Sequence, residues 1–385
     1  MSDRPYDVIV IGAGSVGVPT AHALASAGLD TLVLEERASP GQGANKAAIG
    51  GVRATHALGA KIRLGRRSLE VFSTWDEVHG DDIEWLSGGY VFVAYRHEEE
   101  AAFRRLLLVQ HRHGLPIDWL DAEALLRVAP DLVREGLRGG TLSPDDGHCS
   151  TLLASHAMFE AAKRDGATFR FGEQVTAIEV ERGRVRGVRT DRGRYAAPSV
   201  VNAAGAGAAR IAGLVGERVD VRPDMHEAGI TEPVAPFLGP MVVDVRPAPG
   251  SANFYFYQAR GGQVIFCLTP SPPLWGDDTR ETSAFLPMIA RRMVSLMPRL
   301  AHARVRRTWR GLYPMTPDGS PLVGWSAACD GFVHAVGMCG QGFMLGPGVG
   351  ELITRMVRAE TTPEDDDTLS ALSPQRPFVG QEVLR

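Results

Sequence analysis

The stretch Asp7-Val-Ile-Val-Ile11, followed at once by Gly12-Ala-Gly14-Ser-Val-Gly17, decides how the fold of this 385-residue chain begins. The short β-branched run predicts a buried parallel strand, and the glycines predict a tight turn into a helix. Gly12 makes the turn, Gly14 lets backbone approach a pyrophosphate, and Gly17 allows close packing of helix on strand. The pyrophosphate would lie at the positive end of the helix, where backbone N–H groups are free. The alternative is a glycine-rich packing turn that binds nothing.

A second strand, Thr31-Leu-Val-Leu34, ends in Glu35, which lies 18 residues after Gly17. An acid at this position accepts hydrogen bonds from an adenosine ribose and disfavours a 2′-phosphate. The strand, helix, second strand and acid together predict dinucleotide binding and argue against NADP. They do not separate FAD from NAD.

Composition limits the classes of function. The chain is 44% hydrophobic with a formal net charge of −4. Its length suits about two to three domains and an enzyme-sized core. The charge gives no electrostatic footprint for nucleic acid or acidic membranes. Of the 41 basic residues only Lys46, Lys61 and Lys163 are lysines, so no lysine follows position 163.

The four cysteines lie far apart and form no Cys-x-x-Cys pair. Zinc sites need close ligand pairs and secreted scaffolds are cysteine-dense, so we expect no metal site and a reduced, cytoplasmic protein. The apolar stretch from Val8 to Leu29 is interrupted by glycines and Pro19, which argues against a membrane span.

Later segments carry local signals. A strand is predicted over Tyr90–Ala94, inside a segment that reads as an insertion. Ser150 is the predicted N-cap of a helix, and another helix is expected to start near Pro347. The chain beyond Glu360 is expected to be a loosely held surface extension.

Five blocks, taken in order, resemble the D-amino-acid-oxidase superfamily of FAD-dependent amine oxidoreductases. Within it, the chain is most similar to sarcosine oxidase β subunits and the β subunit of dye-linked L-proline dehydrogenase. The blocks are Gly12–Gly17 with Glu35, Gly50-Gly-Val-Arg53, Ser143-Pro-Asp-Asp-Gly147, Val201-Asn-Ala-Ala-Gly205, and Tyr313-Pro-Met-Thr-Pro-Asp-Gly319 with Gly340-Gln-Gly-Phe-Met344.

The resemblance implies an α/β architecture, α+β overall. It has a Rossmann-like FAD-binding domain built from discontinuous segments and a substrate domain with a mixed, largely antiparallel sheet. We expect residues 1–84, 147–221 and 312–362 in the FAD-binding domain, 85–146 and 222–311 in the substrate domain, and 363–385 as a C-terminal tail.

The resemblance also implies which residues contact FAD. Gly12, Gly14, Gly17 and Glu35 would hold the ADP half, and Val175 would lie by the adenine. A helix N-terminus near the flavin pyrimidine edge would stabilise the negative charge of reduced flavin. The other implied FAD contacts are Asn45, Gly50, Gly51, Ala204, Gly205, Gly340, Gln341, Gly342, Phe343 and Met344.

Amine oxidation needs an oriented substrate, a carboxylate clamp and a proton acceptor. In the matching branch a histidine before a Thr-Glu-Pro stretch points into the pocket, and here that is His226. Tyr255 matches a pocket tyrosine, with Tyr257 on the same strand face. Arg53 is the best fixed cation near the flavin. Each residue also has a structural alternative. His226 could be a core histidine, the tyrosines could pack on the sheet face, and Arg53 could form an ion pair.

Two departures from the family affect the expected chemistry. Monomeric sarcosine oxidases carry a flavin-linking cysteine where this chain has Gly311, so the FAD is expected to be noncovalent. They also use an oxygen-activating lysine in a region that corresponds to Gln263–Leu268, and a carboxylate-binding lysine where this chain has Met344. These absences favour a dehydrogenase over an oxidase.

The expected function is therefore oxidation of an amino acid or an N-alkyl or cyclic amine of the sarcosine, proline or glycine type, by hydride transfer to flavin N5. Two alternatives stay open: an FAD-dependent 2-hydroxy-acid oxidoreductase, and a flavin subunit of a multi-subunit electron-transfer complex. The expected partners are a small-molecule substrate and either a partner subunit or another electron acceptor, without nucleic acid.

Overall fold

The computed structural model describes residues 5–380, so the ends of the first predicted domain (1–4) and of the predicted tail (381–385) lie outside the described residues. The β-branched and aromatic runs form strands. These are β1 Val8–Ile11, β2 Thr31–Glu35, β3 Gly51–Val52, β4 Tyr90–Ala94, β5 Asp118–Asp121, β6 Gly139–Ser143, β7 Gly147–His148, β8 Thr168–Phe171, β9 Val175–Glu181, β10 Arg184–Thr190, β11 Arg194–Ala196, β12 Ser199–Asn202, β13 Arg222–Thr231, β14 Met241–Asp244, β15 Gly250–Gln258, β16 Val264–Ser271, β17 Val305–Met315, β18 Leu322–Trp325 and β19 Phe332–Val336.

Helices connect and cover these strands. They are α1 Gly17–Ser26, α2 Gly59–Ser73, α3 Trp75–His79, α4 His97–Arg112, α5 Ala122–Val128, α6 Thr151–Arg164, α7 Ala208–Gly213, α8 Phe285–Leu296, α9 Gly342–Val357 and α10 Pro363–Leu372. The predicted N-cap of α6 is confirmed, because the Ser150 hydroxyl accepts a hydrogen bond from the backbone N–H of Leu153. The predicted strand Tyr90–Ala94 is confirmed as β4.

A mostly parallel sheet is assembled from distant parts of the chain. Its order is β18-β19-β12-β1-β2-β8, and only β18 runs antiparallel to its neighbour. The residues of β1 are fully or almost fully buried, as a central strand with covered faces requires. Helices α1, α2, α6 and α9 contribute to the hydrophobic cluster on one side of this sheet. The expected Rossmann-like unit of discontinuous segments is confirmed.

A second, largely antiparallel sheet has the order β17-β13-β16-β15-β14-β4-β6-β5. Only β14 and β4 pair in parallel. The mixed α/β architecture, α+β overall, is thereby confirmed. The predicted domain boundary between residues 311 and 312 falls inside β17, because Leu312 to Met315 still pair with β13.

Helix α9 begins earlier than the sequence predicts. It starts at Gly342 rather than near Pro347, and Pro347 lies inside it. Three glycines lower the helix propensity of this segment. They are required by packing, because a Cβ at Gly346, Gly348 or Gly350 would collide with backbone of α1, α2 or the turn before α1. Close packing against those elements outweighs the low helix propensity of glycine.

The expectation of a loosely held extension after Glu360 is wrong as far as Arg376. Thr362 caps α10 by accepting a hydrogen bond from the Asp365 backbone N–H, and Asp365 pairs with Arg355 at 2.6 Å. Leu372 is fully buried, and Arg376 pairs with buried Asp318 at 2.9 Å. A capped helix with a buried leucine and two ion pairs docks on the body of the protein.

Candidate active site

A cavity of about 790 Å³ is lined from both large sheets. The loops after β1 and β12 supply one wall, and one face of the antiparallel sheet supplies the other. The strand register explains that second wall. Ala228 on β13 pairs with Cys267 on β16, which pairs with Tyr255 on β15, so the three side chains point to the same face. All of these elements line the same space, so a single ligand can contact both sheets.

The glycine turn after β1 has the geometry its sequence predicts. Gly12 has φ +105°, and a Cβ there would lie 2.7 Å from the Ala203 carbonyl oxygen. At Gly17 a Cβ would overlap the Gly12 carbonyl oxygen, so only glycine permits this packing of α1. A Cβ at Gly14 would meet no atom within 4 Å, and Gly14 lines the cavity. The turn therefore presents open backbone to a ligand beside the start of α1.

Glu35 ends β2 at the rim of the cavity. Its carboxylate accepts hydrogen bonds from the backbone N–H of Ala13 at 2.8 Å and of Arg37 at 2.9 Å. Val175 also lines the cavity, and its carbonyl oxygen accepts a hydrogen bond from Arg210 at 3.2 Å. Glu35 and Val175 therefore bring a carboxylate and a backbone carbonyl to the cavity wall.

Two buried amides on the cavity wall lack protein partners. Asn45 is 2% exposed and Gln341 is 3% exposed. Within residues 5–380, neither side-chain oxygen nor side-chain nitrogen of these two residues has a hydrogen-bond partner. Buried polar atoms are nearly always paired in folded proteins, so both amides fit a polar ligand with donors and acceptors.

The other implied FAD contacts also line this cavity: Gly50, Gly51, Ala204, Gly205, Gly340, Gly342, Phe343 and Met344. Gly340 has φ +81°, and a Cβ there would overlap the Tyr313 ring. Helix α9 begins at Gly342, and its first residues line the cavity, so the positive end of this helix lies at the cavity wall. A long dinucleotide fits these residues, from the glycine turn to the α9 N-terminus.

Arg53 lies in the wall of the cavity and is 5% exposed. Its guanidinium donates to the Thr55 carbonyl, lies 3.3 Å from His56 Nδ1 and sits over the Phe92 ring. Burial and the nearby Arg53 charge lower the pKa of His56. Arg53 therefore lines the cavity and also makes structural contacts with Thr55, His56 and Phe92.

His226 lies on β13, lines the cavity and is 4% exposed. Its Nε2 lies 3.0 Å from Asp224 Oδ2, and its ring stacks on Tyr313 with centroids 3.7 Å apart. Burial lowers the pKa of His226, while Asp224 opposes that shift. A neutral imidazole at pH 7 is the form that can accept a proton.

The two candidate tyrosines of β15 differ in whether they line the cavity. Tyr255 lines the cavity, and its hydroxyl lies 2.7 Å from the Tyr313 hydroxyl. The Tyr257 hydroxyl instead donates to the Ile49 carbonyl, and its ring packs on His148. Tyr257 therefore holds the loop before β3 rather than facing a substrate.

Asp224 and Tyr313 contact His226, and the sequence alone does not identify them as site residues. Asp224 lies two residues before His226 on the same strand, so period-two spacing could have revealed it. Tyr313 belongs to a quoted motif, but its stacking on His226 depends on the pairing of β13 with β17. No local pattern signals that long-range register.

The described residues also bear on metals and membranes. Among residues 5–380, no three or more histidine, cysteine or acidic side chains are arranged to hold a metal ion. No helix in the same range combines the length and apolar character needed to cross a bilayer.

Comparison with known proteins gives consistent matches. A family model for FAD dependent oxidoreductases matches residues 7–356. Hydrogen cyanide synthase subunit HcnC of Pseudomonas aeruginosa is 25% identical, with 94% of this chain and 95% of that protein covered. The crystal structure of L-proline dehydrogenase from P. horikoshii matches with a TM-score of 0.90 and 28% identity, over 97% of this chain and 98% of that one. Glycine oxidase from Geobacillus kaustophilus matches with a TM-score of 0.86 and 26% identity, over 97% and 99%.

Proposed function

Because the chain belongs to the family of FAD dependent oxidoreductases, we propose that it oxidises an amino acid or an N-alkyl or cyclic amine of the sarcosine, proline or glycine type. The family match confirms the resemblance drawn from the sequence, the oxidoreductase class and FAD as the cofactor. Bound FAD supplies the two-electron acceptor, which takes hydride at N5. We propose that the FAD is noncovalent, since Gly311 has no side chain to form a link.

His226 carries the substrate proposal. A buried imidazole in the cavity wall, beside the tyrosine hydroxyls of Tyr255 and Tyr313, suits a substrate whose nitrogen must lose a proton before oxidation. In this proposal His226 accepts that proton, Tyr255 orients the substrate and Arg53 supplies positive charge near a carboxylate. L-Proline dehydrogenase and glycine oxidase, which match this chain over nearly its whole length, act by name on amino acids.

We extend the proposal to the domains and FAD contacts expected from the sequence. Residues 1–84, 147–221 and 312–362 would bind FAD, and residues 85–146 and 222–311 would bind the substrate. The cavity between the two sheets supports this division, except that β17 crosses the boundary. A cytoplasmic location stays part of the proposal, on the argument from cysteine spacing.

Anaerobic reduction tests the substrate class. Purified holoenzyme is mixed with sarcosine, L-proline, glycine and N-methylated amino acids without oxygen, and the visible flavin absorbance is followed. We expect at least one of them to bleach the flavin. Bleaching by 2-hydroxy acids alone would contradict the proposal and favour the hydroxy-acid alternative.

A second candidate is a flavin subunit within a larger complex. HcnC is by name a subunit of a synthase, and this chain aligns with 95% of it. Turnover with an artificial dye would be low for the isolated chain in that case and would rise on addition of a co-purified partner. Full turnover by the isolated chain would contradict this candidate.

A further inference from the structure

Asp224 and His226 form a buried pair on one face of β13. Their side chains are 4% and 3% exposed, and Asp224 Oδ2 lies 3.0 Å from His226 Nε2. The other carboxylate oxygen, Asp224 Oδ1, accepts a hydrogen bond from the Leu274 backbone N–H at 2.7 Å. Both oxygens are engaged, so the carboxylate is fixed in place relative to the imidazole.

This contact decides which ring nitrogen carries the proton. An ionised carboxylate only accepts hydrogen bonds, so His226 Nε2 must be the N–H donor. A neutral imidazole then has its lone pair on Nδ1. Within residues 5–380, Nδ1 of His226 is buried and has no hydrogen-bond partner. His226 therefore has one nitrogen held by Asp224 and one without a protein partner, and the residue lines the cavity.

The ring is also held across its face. Tyr313 stacks on it at a centroid distance of 3.7 Å and an interplanar angle of 15°. The Tyr313 hydroxyl is in turn held 2.7 Å from the Tyr255 hydroxyl. Rotation of the imidazole would break both the stacking and the carboxylate contact, so the acceptor direction of Nδ1 is set before a substrate arrives.

Other titratable groups on this face are neutral in their ordinary forms. Tyr313, Tyr255 and Cys267 are buried, and burial raises the pKa of each. Glu227 and Arg310 form a nearby ion pair on the opposite face of β13 and β17, and Arg310 also contributes to the cavity lining. Asp224 is thus the charged group that contacts the His226 imidazole.

Resting on the amine oxidation proposed above, we propose that Asp224 is a positioning residue that keeps His226 Nδ1 unprotonated and directed at the substrate nitrogen. The substrate ammonium transfers one proton to Nδ1, which leaves a neutral amine and an imidazolium paired with Asp224. The bond broken is N–H of the substrate and the bond formed is Nδ1–H. Bound FAD would supply the two-electron acceptor for oxidation of the neutral amine that His226 leaves.

Asp224→Asn is the decisive variant, because an asparagine amide can donate to Nε2 and thereby move the imidazole proton to Nδ1. Nitrogen-15 NMR of the holoenzyme with labelled histidine reads the tautomer without substrate, and loss of a signal in His226→Gln assigns it. We expect the Nε2–H form in the wild type and the Nδ1–H form in Asp224→Asn. An Nδ1–H wild type overturns the proposal.

The kinetic arm measures anaerobic flavin reduction by an amine across pH. We expect Asp224→Asn to reduce the rate about 100-fold. Its acidic limb should move to lower pH, since the carboxylate raises the pKa of His226 and its removal lowers that pKa. Asp224→Glu, which keeps the charge, should recover part of the rate. If Asp224 had only a structural role, Asp224→Asn would lower the FAD content or the stability of the protein and leave the acidic limb of the pH profile in place.

Glu217→Gln is a matched control. Glu217 pairs with the buried His334 at 2.9 Å and lies outside the cavity lining, so it should change the His334 signal and leave flavin reduction intact. A switched His226 tautomer with unchanged reduction in Asp224→Asn would overturn the positioning role alone. Failure of every amine, with the expected tautomers, would instead overturn the proposed function.

Discussion

At the scale of single residues, two glycines of one turn have different surroundings. A methyl group at Gly14 would point into open cavity, whereas one at Gly17 would overlap the Gly12 carbonyl. We expect Gly14→Val to keep the stability of the apoprotein and to weaken FAD binding at least tenfold, about 1.4 kcal/mol. Fluorescence titration of the apoprotein with FAD measures this.

Gly17→Ala is the paired variant. Its Cβ meets backbone that cannot rotate away, so we expect a loss of about 1–3 kcal/mol in the free energy of unfolding. Urea denaturation of both apoproteins gives the comparison. A Gly14→Val protein that binds FAD as tightly as wild type would show that the pyrophosphate does not lie at this turn.

The sequence predicts the structural role of a residue well where one local pattern determines that role. The roles of Gly12 and Gly17 follow from strand, turn and helix within a dozen residues, and the structure agrees. His226 could be named only through a family resemblance. Its contact with Asp224 follows from period-two spacing on one strand, whereas its stacking on Tyr313 depends on the pairing of β13 with β17, which residue spacing does not specify.

At the scale of elements, Asp146 ties the segment after β3 to the loop between β6 and β7. It is fully buried and accepts hydrogen bonds from the Ala54 backbone N–H at 2.8 Å and the Thr55 hydroxyl at 2.5 Å. Burial raises the pKa of Asp146 to about 6. This loop thus holds a carboxyl group that is protonated more readily than an exposed one.

The raised pKa of Asp146 makes the stability of the folded protein depend on pH. A carboxyl whose pKa is raised in the folded state stabilises it below the ordinary pKa, and that contribution is lost as pH rises through about 6. We expect the free energy of unfolding of wild type, relative to Asp146→Asn, to fall by about 2–3 kcal/mol between pH 4 and 7.5. Denaturant titrations at several pH values measure it, and a difference independent of pH would contradict the prediction.

The sequence does not predict the elements that depend on tertiary packing. The start of α9 is hidden by glycines that pack against backbone, and α10 is hidden by an acidic run whose Asp365 pairs with Arg355. In both cases the local sequence predicts a helix of low stability, and contacts with distant parts of the chain stabilise that helix.

At the scale of the whole molecule, the distribution of basic residues bears on the electron acceptor. No lysine occurs after Lys163, and the lysine among the cavity-lining residues, Lys46, is exposed. We expect the substrate-reduced enzyme to be reoxidised by a quinone or dye at least about tenfold faster than by oxygen. Stopped-flow mixing measures both rates, with Lys46→Ala as a control that should leave them unchanged. Faster reoxidation by oxygen would identify an oxidase.

The order of strands in the parallel sheet has a consequence for protein synthesis. β1 pairs with β12, which pairs in turn with β19, and the helix that follows β19 lines the cavity proposed to hold FAD. β1 gains its second neighbour once β12, Ser199–Asn202, has been synthesised, and α9 follows much later, beginning at Gly342. The proposed FAD site is therefore complete only after the start of α9 has been synthesised, and fragments that end before Gly342 lack part of its lining.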